Sequence, residues 1–404
     1  MRILVQKFGG TSLSNESARE HVIRHIERER NQSYRPVIVV SAMGRRGDPY
    51  ATDTLLSLID GNDGDFPARE MDLLLGCGEV ISAVKLCSML RCRSIPAVVL
   101  TGGQAGIATD GQFGNARIVR IDPEPILRHL EDGSVVIVTG FQGKSEAGEV
   151  TTLGRGGSDT SATALGAALK AERVDIYTDV NGILTADPRI VENAKPLTVV
   201  SYAEICNMAR QGAKVIHPRA VEIAQQANLP LRVRSTFSDD EGTLVANSGT
   251  RKSASEVIDR HVTGIAHVTG ITQLSVQSQD AQSDVQLQVF RAMANHHISV
   301  DFINVNPGGA VYTVFDRDAA KAVEVLERIG FTPAAVQGCA KVSVIGGGMN
   351  GVPGIMARIV EALTSQGIQI LQSADSNSTI WVLVHEQDMP AALRALHEKF
   401  KLHL

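Results

Sequence analysis

The sequence predicts an α/β protein: a mostly parallel sheet with helices on both faces, followed by a smaller part that occurs twice. Three observations carry this. Short β-branched runs alternate with amphipathic stretches over the first 235 or so residues. Two glycine turns stand at element ends, Lys7-Phe8-Gly9-Gly10-Thr11-Ser12 and Gly154-Arg155-Gly156-Gly157-Ser158-Asp159-Thr160-Ser161. A pattern that starts near Gln273 returns about 70 residues later.

Taken in order, Ile3–Val5, Val37–Val40, Ala97–Leu100, Val135–Val138 and Val174–Tyr177 read as strands. Between them Ala18–Arg30, Glu70–Leu90, Ser158–Leu169 and Thr198–Gln211 read as amphipathic helices. Short apolar strands separated by helices make a sheet buried on both faces, in which ligands gather at the carboxyl ends of the strands. Residues 1–236 form this domain, and the polar stretch 237–260, with Gly242 and Gly249, reads as a linker. Beyond it, Gln273–Val276 is answered by Lys341–Ile345, Val289–Val300 by Ile359–Ile370, and Val311–Val314 by Ile380–Val384. Asp318 and Asp388 then each open a last helix. Each unit, 261–333 and 334–404, reads β-α-β-β-α. That is a ferredoxin-like arrangement, too small to be comfortable alone, so the two are expected to pack together.

The bulk properties narrow the class. The chain has 404 residues, 43% hydrophobic and 21% charged, with 4% aromatic and a formal net charge of −5. That balance suits a globular α/β core and argues against a polyanion-binding surface or a stacking platform. Five cysteines without a C-x-x-C pair suggest reduced thiols, Cys87 and Cys92 being read as small buried hydrophobes. No signal-peptide layout is seen at the N-terminus, and no apolar stretch approaches the ~18 residues of a membrane span. A cytoplasmic protein without membrane or nucleic-acid partners is expected.

Glycines beside hydroxyl residues and a cation let backbone N–H groups approach an anion closely, and a following helix N-terminus adds a favourable dipole. Both turns have this form, as phosphoryl transfer requires, although neither is a G-x-x-x-x-G-K-[ST] loop. A third glycine run, Gly346–Gly351, satisfies G-x-G-x-x-G but reads as a tight strand-to-helix turn. Too little chain follows it for a nucleotide-binding half, its repeat partner lacks the glycines, and Pro353 fits the first turn of the next helix.

With these motifs in view, the chain resembles the monofunctional bacterial aspartate kinases over essentially its whole length. The carriers are Lys7–Ser12, Val39–Gly44, Gly154–Asp159, Thr178-Asp179, Thr185–Arg189 and Gly212–Pro218. Gly44–Asp53 further resembles the diaminopimelate-sensitive isozyme of Gram-positive spore formers. The resemblance implies an amino acid kinase-like domain followed by tandem ACT units, and ATP-dependent phosphorylation of the aspartate β-carboxylate. That reaction opens the lysine/diaminopimelate, threonine and methionine pathway. The acceptor is already ionised, its reference pKa being ~3.9, so no general base is needed.

Site roles follow from the same likeness. Lys7 would stabilise the transferring phosphoryl oxygens, and Phe8, Gly9, Gly10 and Thr11 would cradle phosphates. Ser41 and Thr52 would line the substrate site. Glu79, read as opening an apolar helix, would take the substrate ammonium. Arg155 would grip a carboxylate beside Gly156 and Gly157, Ser158 would cap the helix and touch substrate, and Asp159 would orient the catalytic groups. Thr178, Asp179, Asp187, Pro188, Arg189 and Lys214 would contact the nucleotide, with Leu184 where many relatives place Tyr. Mg²⁺ would arrive with ATP. Met349, Val352, Pro353, Gly354 and Asp375 would meet an amino-acid effector, meso-diaminopimelate by the isozyme likeness, in a homo-oligomer, dimeric or higher, joined through ACT edges. Two other functions stay open on the residues: a kinase of another acidic amino acid, and a catalytically silent amino-acid sensor.

Overall fold

The computed structural model describes residues 1–59, 66–213, 215–247, 261–277, 284–349 and 351–404. Two compact units emerge: Met1–Ile183 with Pro196–Ala209 and Lys214–Glu256, and Leu184–Lys195 with Arg210–Ala213 and Val257–Leu404.

The first unit begins β1 (Ile3–Phe8), α1 (Gly10–Leu13), α2 (Glu16–Asn31), β2 (Arg35–Val40), α3 (Thr52–Leu56) and α4 (Ala68–Cys92). It continues β3 (Ala97–Leu100), β4 (Ile107–Thr109), β5 (Ile118–Ile121), α5 (Glu124–Glu131), β6 (Val135–Thr139), β7 (Gln142–Ser145) and β8 (Val150–Thr152). Then come α6 (Gly157–Ala168), β9 (Arg173–Thr178), β10 (Val199–Val200), α7 (Tyr202–Arg210), α8 (Pro218–Ala227), β11 (Leu231–Ser235) and β12 (Thr243–Val245). An eight-stranded sheet runs β10-β12-β11-β9-β1-β2-β6-β3, parallel from β11 to β3, with β12 antiparallel to β11. A small sheet, β5-β4-β7-β8, stands beside it.

The central strands carry almost continuous apolar runs because both faces are covered. Val22, Ile23 and Ile26 of α2 and Ala83, Leu86 and Leu90 of α4 pack on Ile38, Val40 and Ile137. Phe8 stacks on Tyr177 with ring centroids 4.6 Å apart. On α6, Gly166 faces Val174, Leu229 and Val5, so a side chain there would be driven into β9 and β1. By length and composition α4 could cross a membrane, a stretch the sequence reading did not expect. Instead it packs on the sheet with Asp72 and Glu79 buried on its inner face.

The polar stretch read as a linker holds β12, which pairs between β10 and β11 in the large sheet. Its remaining residues from 248 to 260 lie outside the described residues. None of the five cysteines is in a disulfide, and Cys92, expected in a core, is exposed at the last turn of α4.

The second unit continues with β13 (Gly264–Gln277), α9 (Val285–Asn295), β14 (Asp301–Asn306), β15 (Gly309–Phe315) and α10 (Asp316–Arg328). The same order returns as β16 (Ala334–Ile345), α11 (Ile355–Thr364), β17 (Gln372–Asp375), β18 (Thr379–His385) and α12 (Met389–Lys399). The sheet order β14-β15-β13-β16-β18-β17 places the two copies on either side of an antiparallel β13–β16 pair. Each copy buries its own helices: Val289, Met293, Val325 and Leu326 in the first, Ile359, Leu363, Leu393 and Leu396 in the second. The segment Leu184–Lys195 joins the second core, where Ala186 and Val191 are buried and the Thr185 hydroxyl lies 2.9 Å from His397 Nε2. A single cut near residue 236 therefore does not describe the packing, because these apolar side chains find their partners in the repeat.

Gly346 stands where a Cβ would lie 1.9 Å from the His261 carbonyl oxygen, so close backbone approach explains this glycine without a nucleotide. The helix after that run begins at Ile355 behind a left-handed Gly354, which leaves Pro353 outside its first turn.

Candidate active site

A cavity of about 620 Å³ opens at the carboxyl ends of the parallel strands. Lys7 reaches it from the last turn of β1, which runs on through Phe8 rather than stopping before the lysine. Ser41 follows β2, Thr52 opens α3, and Glu79 comes from α4. Arg155, Gly156, Gly157, Ser158 and Asp159 enter from the turn and first residues of α6. Nine expected residues from five separate places in the chain thus share one cavity.

At its floor Lys7 Nζ lies 2.8 Å from Asp159 Oδ1, with both side chains largely buried. The other oxygen, Asp159 Oδ2, accepts the His217 N–H at 3.2 Å. His217 caps α8, whose first residue is Pro218, and burial lowers its imidazole pKa. Gly156 adopts a left-handed conformation, φ +68°, and a Cβ on it would lie 2.2 Å from the His217 ring. Here the left-handed turn and the close ring both require glycine. Ser158 is not the helix cap: Gly156 occupies that position and no side chain caps it. The serine is instead buried in the first turn, its Oγ under Gly140.

Glu79 sits in the middle of α4, so the reading that it opens a helix is corrected. Gly76 and Gly78 do not break that helix. They allow close passage of Gln142 and Ala42, whose nearest atoms would lie 3.2 and 2.7 Å from an added Cβ. Glu79 Oε1 accepts the Ala42 N–H at 3.0 Å. Burial pushes the carboxyl up to about 8, against the opposing pull of that N–H.

The other expected residues fall differently. Phe8 is fully buried against Tyr177 and offers no side chain to a ligand. Gly9 precedes α1, with a Cβ position 3.5 Å from Lys7 Nζ, and Thr11 follows in α1. Gly10 packs against the carbonyls of Gly44 and Ala42, at 2.5 and 2.7 Å from an added Cβ. Thr178 ends β9 and donates to Asp179 at 3.1 Å, while Asp179 is ion-paired with Arg45. Asp187 accepts from Arg189, which holds its carboxyl below the ordinary range. Pro188 is exposed between them, and all three belong to the second unit. Lys214 lies outside the described residues.

Sequence reasoning missed three contributors. His217 stood inside a quoted motif, and the following proline was the available sign of a helix cap. Asp72 precedes Glu79 by two helical turns on the same face, a spacing that could have marked it. Gln142, donating to the Gly76 carbonyl at 2.6 Å, had no local signal.

A second cavity of about 610 Å³ lies in the second unit, and Met349, Val352, Pro353, Gly354 and Asp375 all line it.

Comparison with known proteins agrees with this geometry. The amino acid kinase family model matches residues 2–235, and an ACT domain model matches 334–398. Aspartokinase 1 of Bacillus subtilis (strain 168) is 54% identical over 402 residues, spanning all of both chains. The aspartokinase of Geobacillus stearothermophilus is 41% identical over 410 residues, covering all of this chain and 98% of its own. Among solved structures, E. coli aspartokinase III with aspartate and ADP superposes with a TM-score of 0.76 at 25% identity, covering 98% of this chain and 99% of that one. The same enzyme with lysine and aspartate gives 0.78 at 26% identity, with the same coverage. Full-length likeness, both domain models and the shared fold lead to one assignment: the chain belongs to the amino acid kinase family, among its monofunctional, ACT-bearing aspartokinases.

Proposed function

We propose that the protein transfers the γ-phosphoryl group of MgATP to the β-carboxylate of L-aspartate, giving 4-phospho-L-aspartate and ADP. The observation that carries this is the convergence of Lys7, Asp159, Arg155 and Glu79 on one cavity. A β-carboxylate oxygen forms the new bond to the γ-phosphorus as the bond to the β,γ-bridging oxygen breaks. With a reference pKa of ~3.9 the acceptor arrives ionised, and no side chain has to remove a proton. The protein's task is therefore positioning and charge. Lys7, held by Asp159, offers its ammonium to the transferring oxygens. Arg155, exposed at the cavity mouth, takes the α-carboxylate through its planar fork. Glu79 takes the α-ammonium, and Ser41, Thr52 and Ser158 supply hydroxyls. Thr178 and Asp179 hold the nucleoside, with the Arg45 ion pair opening to admit it.

This reaction opens the route to lysine by way of diaminopimelate, and to threonine and methionine. The cavity lined by Met349, Val352, Pro353, Gly354 and Asp375 is the proposed allosteric site. Its ligand is meso-diaminopimelate, on the likeness of Gly44–Asp53 to the isozyme that responds to it. Edge strand β14 leaves Ile303 and Val305 exposed, a fitting seam for a homo-oligomer. Five cysteines outside any disulfide suit the reducing cytoplasm.

Trapping the acyl phosphate with hydroxylamine tests the reading. L-aspartate, L-glutamate and N-acetyl-L-glutamate are offered in turn with MgATP. Hydroxamate that depends on aspartate is the expected result. Hydroxamate from another acceptor alone would reassign the substrate, and none from any would make the protein a sensor.

A further inference from the structure

Asp72 is fully buried on α4, two helical turns before Glu79. Its contacts are all with donors. Oδ1 accepts the Gly114 N–H at 2.9 Å and the Thr152 hydroxyl at 2.7 Å. Oδ2 accepts the same Gly114 N–H at 3.0 Å and the Thr152 N–H at 2.7 Å. One side chain thus joins the helix that carries Glu79 to the end of β8 and to the loop before β5.

From that anchor the chain is held step by step toward Arg155. The Leu153 N–H donates to the Phe141 carbonyl at 2.8 Å, and its own carbonyl accepts from Arg219 at 3.0 Å. The Gly154 carbonyl accepts the Gly157 N–H at 3.0 Å, and a Cβ on Gly154 would meet Asn115 Oδ1 at 2.8 Å. Arg155 is the first exposed residue after this run.

We infer that Asp72 is a positioning residue that sets the separation between Glu79 and Arg155, and with it the enzyme's selectivity for an α-amino acid. This rests on the substrate roles proposed above for those two residues. The physical case is the donor set. Three donors meet the two oxygens, with the Gly114 N–H shared between both, so an amide in either orientation would turn its NH2 toward that N–H. A single packed contact would hold helix and strand together. Two oxygens, each shared between the same two segments, also fix their mutual rotation.

The test uses the full chain, with L-aspartate and MgATP varied separately. Asp72→Asn is expected to raise the KM for aspartate about tenfold or more, the scale of a misplaced binding group, and to leave the KM for MgATP within about twofold. The preference for L- over D-aspartate should fall with it. Thr152→Val removes one of the four contacts and should raise the aspartate KM by about tenfold, the lower end of what one hydrogen bond to a charged group is worth. It also decides the matter should circular dichroism show Asp72→Asn unfolded. An unchanged aspartate KM, or equal rises in both KM values, overturns the inference. Arg155→Ala separates the two levels. If it leaves the aspartate KM unchanged, the substrate reading fails and this inference with it. If it raises that KM while Asp72→Asn does not, this inference alone is lost.

Discussion

Glu79 brings a carboxyl group into the cavity with Oε1 held by the Ala42 N–H. Its Oε2 meets no donor at hydrogen-bond distance among the described residues, although the Gln142 amide stands near enough to oppose the effect of burial. A folded-state value of about 8, above the ordinary 4.5, means that the native protein favours the neutral acid. The stabilisation this gives is complete below 4.5 and is lost progressively as pH climbs toward 8. An arriving ammonium reverses the preference and expels the proton. The KM for aspartate should therefore fall as pH rises from about 6.5 to 8 and level off beyond, and Glu79→Gln should remove the slope. Steady-state kinetics across that range checks it. A wild-type aspartate KM that does not move with pH would separate Glu79 from the ammonium.

At the next scale the turn Gly154–Gly157 shows what an element can ask of its residues. Gly156→Ala combines a left-handed backbone with a Cβ 2.2 Å from the His217 ring. It should cost about 2 kcal/mol or more in chemical denaturation. It should also lower activity, because His217 must shift and its N–H holds Asp159. Unaltered stability and rate would show that the turn yields freely. From the sequence this turn reads as an anion cradle, but the reasons for its glycines were only partly legible. Gly10 answers to the carbonyls of Ala42 and Gly44, and Gly156 to His217, partners set by the tertiary fold. The same blindness made Glu79 look like the start of a helix, when it sits mid-helix and Gly76 and Gly78 only thin one face of α4 for Ala42 and Gln142. Lys7 and Asp159 were readable from motif and strand position. Their ion pair was not, since it depends on β1 and α6 packing together.

Across the whole chain, the duplication was legible because a β-α-β-β-α pattern leaves the same apolar periodicity in each copy. What could not be read was that Leu184–Lys195 would bury Ala186 and Val191 in the second copy's core, since the scattered apolar residues of this segment set no period. The cavity lined by Met349, Val352, Pro353, Gly354 and Asp375 belongs to this unit. Binding that favours the folded chain raises stability by about 2.7 kcal/mol at 100 times Kd, a few degrees in Tm. Meso-diaminopimelate should produce such a shift, and Asp375→Ala should abolish it while leaving hydroxamate formation intact. An equal shift with Asp375→Ala would move the effector elsewhere.

The mirrored strand order has a further consequence for how this chain can vary. The inner strands β13 and β16, 14 and 12 residues long, spend much of their hydrogen bonding on each other. Deleting either copy would leave the survivor with a long raw flank of unsatisfied amides, an invitation to aggregate. Loops at the periphery are free to drift toward new ligands, while the shared spine binds the twins to a common fate.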